Sequence, residues 1–232
     1  MASYGVIFDL DGTLAYTLDD IITAVNNMLS KLGYKTRTKA DILKFINNGA
    51  RELVRRALPK LVQESEFIVD SALEVYGDEY KKCYLEKTHP YDGIIEVLEE
   101  LKNDGVKIAV LSNKQDKFVK DIIYKLFGKN FFSVVQGQVP AMPTKPDPVS
   151  SFSICKQMGV KPSNCFFVGD SDVDMKTAKN AGMVSIGVLW GYREKTVLEE
   201  ADATFTAEAP VDLQEILKEQ IALKKQNSKK KK

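Results

Sequence analysis

From residue 91 onward, short apolar segments alternate with segments that have the periodicity of amphipathic helices. Residues 106–111, 165–168 and 184–188 are almost continuously apolar, as expected for strands that are covered on both faces. Parallel strands need crossover connections, and the helical segments between these strands supply them. The pattern therefore predicts an α/β fold with a doubly wound parallel sheet.

The N-terminal segment supplies one more strand, which ends in two carboxylates. Val6, Ile7 and Phe8 precede Asp9 and Asp11, and a glycine follows. Carboxylates two residues apart at a strand end lie close together and repel as anions unless a cation lies between them or one holds a proton. This segment alone is also compatible with an acidic turn that caps the next element.

A helical block separates this strand from the alternating pattern. Apolar residues recur at helical spacing over 18–32, 50–58 and 65–86, and Thr38 begins a capping-box pattern. We therefore predict an α/β core domain formed by residues 1–15 and 88–224, with residues 16–87 inserted as a small helical domain.

The C-terminus has a different composition from the body. Residues 224–232 hold six lysines and no acid, which leaves a net charge of −5 for residues 1–223. No aromatic residue accompanies these lysines, so we predict a disordered basic tail over 225–232 and expect no nucleic-acid partner.

The remaining composition is that of an ordinary globular protein. No apolar run approaches the roughly 18 residues that a membrane span needs, and Met1-Ala-Ser-Tyr does not resemble a signal peptide. We therefore expect no membrane partner and a cytoplasmic location. The three separated cysteines predict neither a disulfide framework nor a zinc site.

Several catalytic classes are disfavoured by absent residues. His89 is the only histidine and precedes a proline, and no cysteine has an arginine six positions later. Glycine-rich nucleotide-binding motifs are also absent. Carboxylates with a hard metal ion are the chemistry that remains.

Polar residues follow four of the predicted strands in turn. Because the carboxyl ends of parallel strands meet at one edge of a sheet, these residues are expected to lie together. They are Asp9 and Asp11, then Ser112 and Asn113, then Lys145, and finally Asp170 and Asp174.

These segments resemble the four motifs of the haloacid dehalogenase superfamily. The matching stretches are Asp9-Leu-Asp-Gly-Thr, Leu111-Ser-Asn, Lys145-Pro and Gly169-Asp-Ser-x-x-Asp174. Within the superfamily, residues 45–53 are similar to the cap loop of phosphoglycolate phosphatases, and Ala178-x-x-Ala-Gly182 agrees with that subgroup. The resemblance implies that the 16–87 insertion is a cap domain.

The resemblance also implies catalytic roles. Asp9 is expected to attack phosphorus and form an aspartyl phosphate, and Asp11 to act as general acid and base. Dehalogenating relatives lack an acid at the second position, so Asp11 favours phosphoryl transfer.

The other motif residues have implied binding roles. Mg²⁺ would be held by Asp9, Asp11 through its backbone carbonyl, and Asp170. Phosphoryl oxygens would contact Ser112, Asn113 and Lys145. Asp174 would orient Lys145 or a metal-bound water, or alternatively cap a helix, and Thr13 would support the first motif.

Three cap residues are candidates for substrate binding. Asn48, Gly49 and Arg51 are expected to enter the closed site, with Arg51 pairing with a substrate carboxylate. An exposed arginine on a helix is also compatible with a surface ion pair. Trp190 either borders the site or, as we favour, packs against the core.

The sequence thus predicts a Mg²⁺-dependent phosphatase acting on a small phosphorylated metabolite, most like 2-phosphoglycolate, as a monomer or homodimer. Alternatives on the same site are a pyrophosphatase, a nucleoside monophosphate phosphatase or, less favoured, a mutase similar to β-phosphoglucomutase. A protein that kept the fold but lost turnover is an alternative of another class.

Overall fold

The computed structural model describes residues 3–230, with side chains up to residue 227. Within that range the strands are β1 (Gly5–Phe8), β2 (Ala15–Tyr16), β3 (His89–Pro90), β4 (Lys107–Gln115), β5 (Val134–Gln138), β6 (Cys165–Gly169), β7 (Val184–Val188) and β8 (Phe205–Ala207). The α-helices are α1 (Leu18–Lys31), α2 (Lys39–Phe45), α3 (Gly49–Ala57), α4 (Glu66–Cys83), α5 (Ile94–Asn103), α6 (Asp116–Leu126), α7 (Val149–Met158), α8 (Asp172–Ala181), α9 (Lys195–Glu200) and α10 (Pro210–Lys230).

Six strands form a parallel sheet in the order β5-β4-β1-β6-β7-β8. β1 lies between β4 and β6, with Gly5 paired to Lys107 on one side and to Cys165 on the other. The predicted doubly wound parallel sheet is confirmed. Because β1 is central, the turn that follows it lies at the middle of the carboxyl edge of the sheet.

Side chains from the central strands fill a core on each face of the sheet. In β1, Val6 and Phe8 pack with apolar residues of α5, α6 and α10, whereas Ile7 packs on the opposite face with residues of α7 and α8. All three are fully buried. Burial on both faces explains why these strands are continuously apolar rather than alternating.

Helices α1 to α4 form a second body with its own apolar core. Residues such as Val25, Met28 and Leu53 are buried there, and Phe118 of α6 joins them from the sheet domain. The boundaries proposed for this cap, 16–87, stay a prediction. None of the helices within residues 3–230 has the length and apolar character of a membrane span.

Two short segments connect the helical body to the sheet. β2 and β3 pair antiparallel, with Tyr16 opposite His89. Next to them, the buried Asp20 carboxylate of α1 accepts hydrogen bonds from the Lys87 and Thr88 backbone N–H groups and from the Thr88 hydroxyl at 2.8 Å. Asp20 therefore fastens the start of the helical body to its exit segment.

Replacing Asp20 with alanine is expected to lower the free energy of unfolding by about 3 kcal/mol, because three donors, the two of Thr88 buried, lose their acceptor. Asp19 of the same helical turn is a matched control, since its carboxylate is 40% exposed. Asp19→Ala is expected to cost less than about 1 kcal/mol. The free energy of unfolding of both variants is measured by urea denaturation. Equal decreases for the two would contradict a stabilising role for the hydrogen bonds of Asp20.

Two predicted boundaries differ from the structure. Helix α10 continues to Lys230, six residues into the segment predicted to be disordered, while residues 231 and 232 lie outside the described range. Lysine and glutamine are good helix formers, and no glycine or proline ends the helix. Ser112 and Asn113, predicted to follow a strand, lie within β4, which continues to Gln115 through an irregular register.

Candidate active site

Asp9 leaves the end of β1 at the carboxyl edge of the sheet. Its backbone N–H donates to the Val168 carbonyl at 2.9 Å, which continues the strand pairing and fixes where the carboxylate starts. A tight turn follows, in which the Leu10 carbonyl accepts three successive N–H groups. Gly12 has φ +83°, and a Cβ there would lie 2.3 Å from Asp170 Oδ2. Only glycine allows the turn to approach Asp170 this closely.

Lys145 is the buried cation of the site. Its ammonium lies 2.6 Å from Asp174 Oδ1 and 2.9 Å from Asp9 Oδ1, and its side chain is 2% exposed. Burial alone would lower the pKa of Lys145, but the Asp174 and Asp9 carboxylates outweigh burial and raise it. The lysine is therefore a fixed positive charge beside Asp9.

Burial also acts on the carboxylates. Desolvation raises the pKa of Asp9 to about 7, an effect opposed by Lys145 and reinforced by Asp174 and Asp11. Desolvation, followed by repulsion from Asp174 and Asp9, raises the pKa of Asp170 well above its usual range. Lys145 therefore does not fully offset the negative charge of the Asp9, Asp170 and Asp174 carboxylates.

The carboxylates of Asp9, Asp170 and Asp174 have oxygen atoms within 4.8 Å of one another. Both Asp174 oxygens are already used, Oδ1 by Lys145 and Oδ2 by the Ser171 N–H and hydroxyl. Asp170 Oδ2 accepts from the Tyr192 N–H, but its buried Oδ1 meets no donor among the described residues. This unpartnered oxygen beside Asp9 fits a hard cation such as Mg²⁺.

Asp11 lies apart from these three carboxylates. Its side chain, 15% exposed, accepts a hydrogen bond from the Thr17 hydroxyl and forms an ion pair with the Lys114 ammonium. The predicted metal contact of Asp11 involved only its backbone carbonyl, so the two arrangements are compatible. Lys114 was missed in the sequence, although it directly follows Ser112 and Asn113.

The two residues before Lys114 have different surroundings. Ser112 is buried, lines the cavity beside Asp9, and accepts the Lys114 N–H. Asn113 accepts the Lys145 N–H at 2.8 Å and donates to the carbonyls of Lys145 and Asn47. The amide of Asn113 holds the Lys145 loop and the cap loop in place, and the residue also lines the cavity, where its contact with substrate stays a prediction.

A cavity lies between the sheet edge and the cap, and Asp9, Asp11 and Lys145 line it. Gly49 lines it as predicted, and a Cβ on this residue, which has φ +83°, would lie 3.3 Å from the Asn113 carbonyl. Its neighbour Asn47 lines the cavity as well, whereas the predicted Asn48 is exposed and is not part of the lining. The cap loop therefore enters the site through residues 47 and 49.

Arg51 corrects the sequence prediction. Its guanidinium forms ion pairs with Glu66 and Asp70 of α4, its side chain is 42% exposed, and it does not line the cavity. The two acids lie one turn apart on the helix that packs against α3, so they hold Arg51 on the outer surface of the cap. Of the two roles considered for Arg51 from the sequence, the structure therefore shows the surface ion pair.

Arg51→Ala is therefore expected to change kcat/KM by less than about threefold, because solvent-exposed ion pairs contribute little. Steady-state phosphate release with 2-phosphoglycolate measures this. Glu66→Ala, which removes one of its partners, serves as the matched variant. A decrease in kcat/KM of more than tenfold in Arg51→Ala but not in Glu66→Ala would support a contact between Arg51 and the substrate.

Residues after β7 close the other side of the site. Trp190 donates from Nε1 to the Thr13 carbonyl at 3.0 Å and packs against the core rather than lining the cavity, as favoured from the sequence. The Thr13 side chain is fully buried. Tyr192 does line the cavity, and its hydroxyl accepts the Thr17 N–H at 2.9 Å.

Comparisons with known proteins agree with this geometry. The sequence profile of the haloacid dehalogenase-like hydrolases matches residues 6–188. A phosphoglycolate phosphatase of Pseudomonas syringae pv. tomato is 36% identical over 203 residues, which cover 85% of this chain and 74% of the relative. A phosphoglycolate phosphatase of Psychrobacter arcticus is 34% identical over 192 residues, which cover 81% and 84%.

Solved structures resemble the whole fold. A crystal structure from Lactobacillus delbrueckii subsp. bulgaricus, designated a candidate phosphoglycolate phosphatase, superposes with a TM-score of 0.86 at 30% identity. The match covers 93% of this chain and 98% of that one. The likeness therefore includes both the sheet and the inserted helices.

Proposed function

Because this chain belongs to the haloacid dehalogenase-like hydrolases and is a phosphatase of that family, we propose that it hydrolyses 2-phosphoglycolate through a phosphorylated Asp9. The observation that carries the proposal is the buried Asp9 carboxylate, which lies 2.9 Å from the Lys145 ammonium and lines the cavity between the sheet edge and the cap. The names of its relatives support the choice of substrate.

In the first step, an oxygen of Asp9 attacks phosphorus and the bond between phosphorus and the ester oxygen breaks. Asp11 gives its proton to the departing oxygen, so glycolate leaves with a hydroxyl group rather than an alkoxide. Lys145 stabilises the negative charge on the phosphoryl oxygens, and its own position is fixed by Asp174. Asp9 then carries the phosphoryl group as a mixed anhydride.

In the second step, a water molecule gives a proton to Asp11 while its oxygen attacks the same phosphorus. The bond from phosphorus to Asp9 breaks, which releases inorganic phosphate and restores the Asp9 carboxylate. This water thus returns to Asp11 the proton that Asp11 gave to the leaving group. Apolar side chains around the cavity, among them Leu53 of the cap and Phe118 of α6, limit access of other water to the site.

Asp9, Asp170 and the Asp11 backbone carbonyl would hold Mg²⁺ in this proposal. When bound, the ion offsets the negative charge of these carboxylates and of the phosphoryl group. The unpartnered Asp170 Oδ1 and the raised pKa of Asp170 both support a missing positive charge at this place.

The proposal is tested by measuring phosphate release in the presence of Mg²⁺ from 2-phosphoglycolate, pyrophosphate, nucleoside monophosphates and sugar phosphates. We expect 2-phosphoglycolate to have the highest kcat/KM, and a chelator to remove the activity. Similar values of kcat/KM for all of these compounds would contradict the assignment of 2-phosphoglycolate as the substrate. Conversion of a sugar phosphate without free phosphate would instead indicate a mutase.

Binding of the ion can be measured without turnover. Mg²⁺ at a hundredfold excess over its Kd is expected to raise the unfolding temperature of the protein by about 5–10 °C. Asp170→Asn is expected to abolish most of this rise, because a ligand oxygen is lost. Asp172→Asn, which alters a partly exposed acid two residues away, is expected to keep it. An unchanged rise in the Asp170 variant would contradict the predicted ligand set.

A further inference from the structure

Two ammonium groups line the cavity within the part of the chain that the structure describes, those of Lys145 and Lys114. Lys145 is committed to Asp9 and Asp174 at the place where the phosphoryl group is bound. Arg51 is held outside by its own ion pairs. Lys114 is therefore the cation that remains for any other charge on the substrate.

The Lys114 side chain is held in a defined position. It is only 9% exposed, its ammonium pairs with Asp11, and it lies 5.0 Å from the centre of the Tyr80 ring. Its backbone N–H donates to the Ser112 hydroxyl. Such a lysine has little of the freedom of a surface lysine, and its charge stays next to the acid that protonates the leaving group.

This position has a chemical consequence for the substrate. Asp11 must contact the ester oxygen of the phosphomonoester, and in 2-phosphoglycolate a single methylene separates that oxygen from the carboxylate carbon. A carboxylate so close to the ester oxygen lies within reach of the ammonium that is paired with Asp11. The geometry points to Lys114 as the residue that selects the substrate, by binding a carboxylate one carbon away from the ester oxygen.

Two unpartnered donors lie in the same cavity lining. The Asn47 side-chain N–H group and the Tyr80 hydroxyl are buried and meet no hydrogen-bond partner among the described residues. A buried donor without an acceptor is unfavourable, and a carboxylate supplies acceptors. The cavity thus offers a cation and two unused donors, a set that fits an oxyanion.

The inference rests on the proposed function and adds that binding of the substrate carboxylate changes the ion pair of Asp11. In the free protein Lys114 is paired with Asp11, so binding of a substrate carboxylate exchanges the partner of Lys114. Asp11 then keeps the Thr17 hydroxyl and loses its ion pair, which leaves it free to face the ester oxygen. With a substrate that has no carboxylate beside the ester, Lys114 stays paired with Asp11.

Three phosphomonoesters of similar size test the selection in the unaltered protein with Mg²⁺. They are 2-phosphoglycolate, ethyl phosphate and phosphoethanolamine, which place an anion, a methyl group and a cation beyond the ester. We expect kcat/KM to fall in that order, with 2-phosphoglycolate at least about 100-fold above ethyl phosphate. Similar values for 2-phosphoglycolate and ethyl phosphate would overturn the inference while leaving the phosphatase proposal standing. Hydrolysis of none of the three would overturn both.

Variants of Lys114 then assign the selection to this residue. Lys114→Met is expected to reduce the ratio of kcat/KM for 2-phosphoglycolate over ethyl phosphate by at least about 30-fold, mainly through a higher KM for 2-phosphoglycolate. Lys114→Arg, which keeps the charge, is expected to retain most of the ratio. If Lys114→Met lowers kcat/KM equally for both substrates, Lys114 acts only through its ion pair with Asp11 and the inference is wrong. The comparison between substrates in the unaltered protein stands even where a variant does not fold.

Discussion

Replacing Asp9 with asparagine is expected to lower the rate of phosphate release by at least about 10⁴-fold, because an amide cannot act as the nucleophile. The substitution preserves the size of the side chain. Burial raises the pKa of Asp9 to about 7, so the ionised carboxylate is unfavourable in the folded protein without a metal ion. In a chelator at pH 8, above that pKa, the variant should therefore unfold at the same or a higher temperature than the parent protein.

Activity and thermal unfolding have to be measured on the same preparation, with Asp172→Asn as the control for loss of one acid near the site. That control is expected to keep its activity within about threefold, since Asp172 only pairs with Lys176 on the surface. Retention of more than about one hundredth of the activity by Asp9→Asn would argue against a phosphorylated aspartate.

The second large effect is expected at Lys145. Replacing it with methionine removes the cation between Asp9 and Asp174, both of which are buried. Breaking a buried ion pair from one side costs about 3–5 kcal/mol, since the remaining charge is left without a partner. In a chelator the free energy of unfolding should fall by this amount, and phosphate release should be lost together with the contact to the phosphoryl group.

Lys176→Met provides the matched comparison, because Lys176 also pairs with an aspartate but is 53% exposed. Its free energy of unfolding should change by less than about 1 kcal/mol. A second variant, Lys145→Met with Asp174→Asn, should recover part of the loss because it removes one uncompensated carboxylate. A single variant as stable as the parent protein would show that Lys145 does not compensate these acids.

The sheet and the base of the site could be predicted because local sequence determines them. A strand apolar on both faces belongs inside a parallel sheet, and a parallel sheet gathers its carboxyl ends at one edge. Those two facts place the segments that contain Asp9, Lys145, Asp170 and Asp174 at one edge, and the resemblance to known motifs singled out these four residues. They are found together at that edge.

The cap side of the site depends on packing that the sequence does not reveal. Arg51 has the right charge to bind a carboxylate, but Glu66 and Asp70 approach it only because α4 packs beside α3. Conversely, no sequence pattern singled out Lys114, and only the fold brings its ammonium to Asp11. Ion-pair partners distant in sequence cannot be read from spacing along one helix.

The central place of β1 also bears on the order in which the protein can fold during synthesis. β1 is made first, yet its neighbours in the sheet begin only at Lys107 and Cys165. The helices of the cap, by contrast, contact one another within residues 18–83, so the cap can assemble before the partners of β1 are made. On the ribosome β1 must therefore remain without its strand partners while the cap assembles, and an unpaired apolar strand is prone to aggregation during that time.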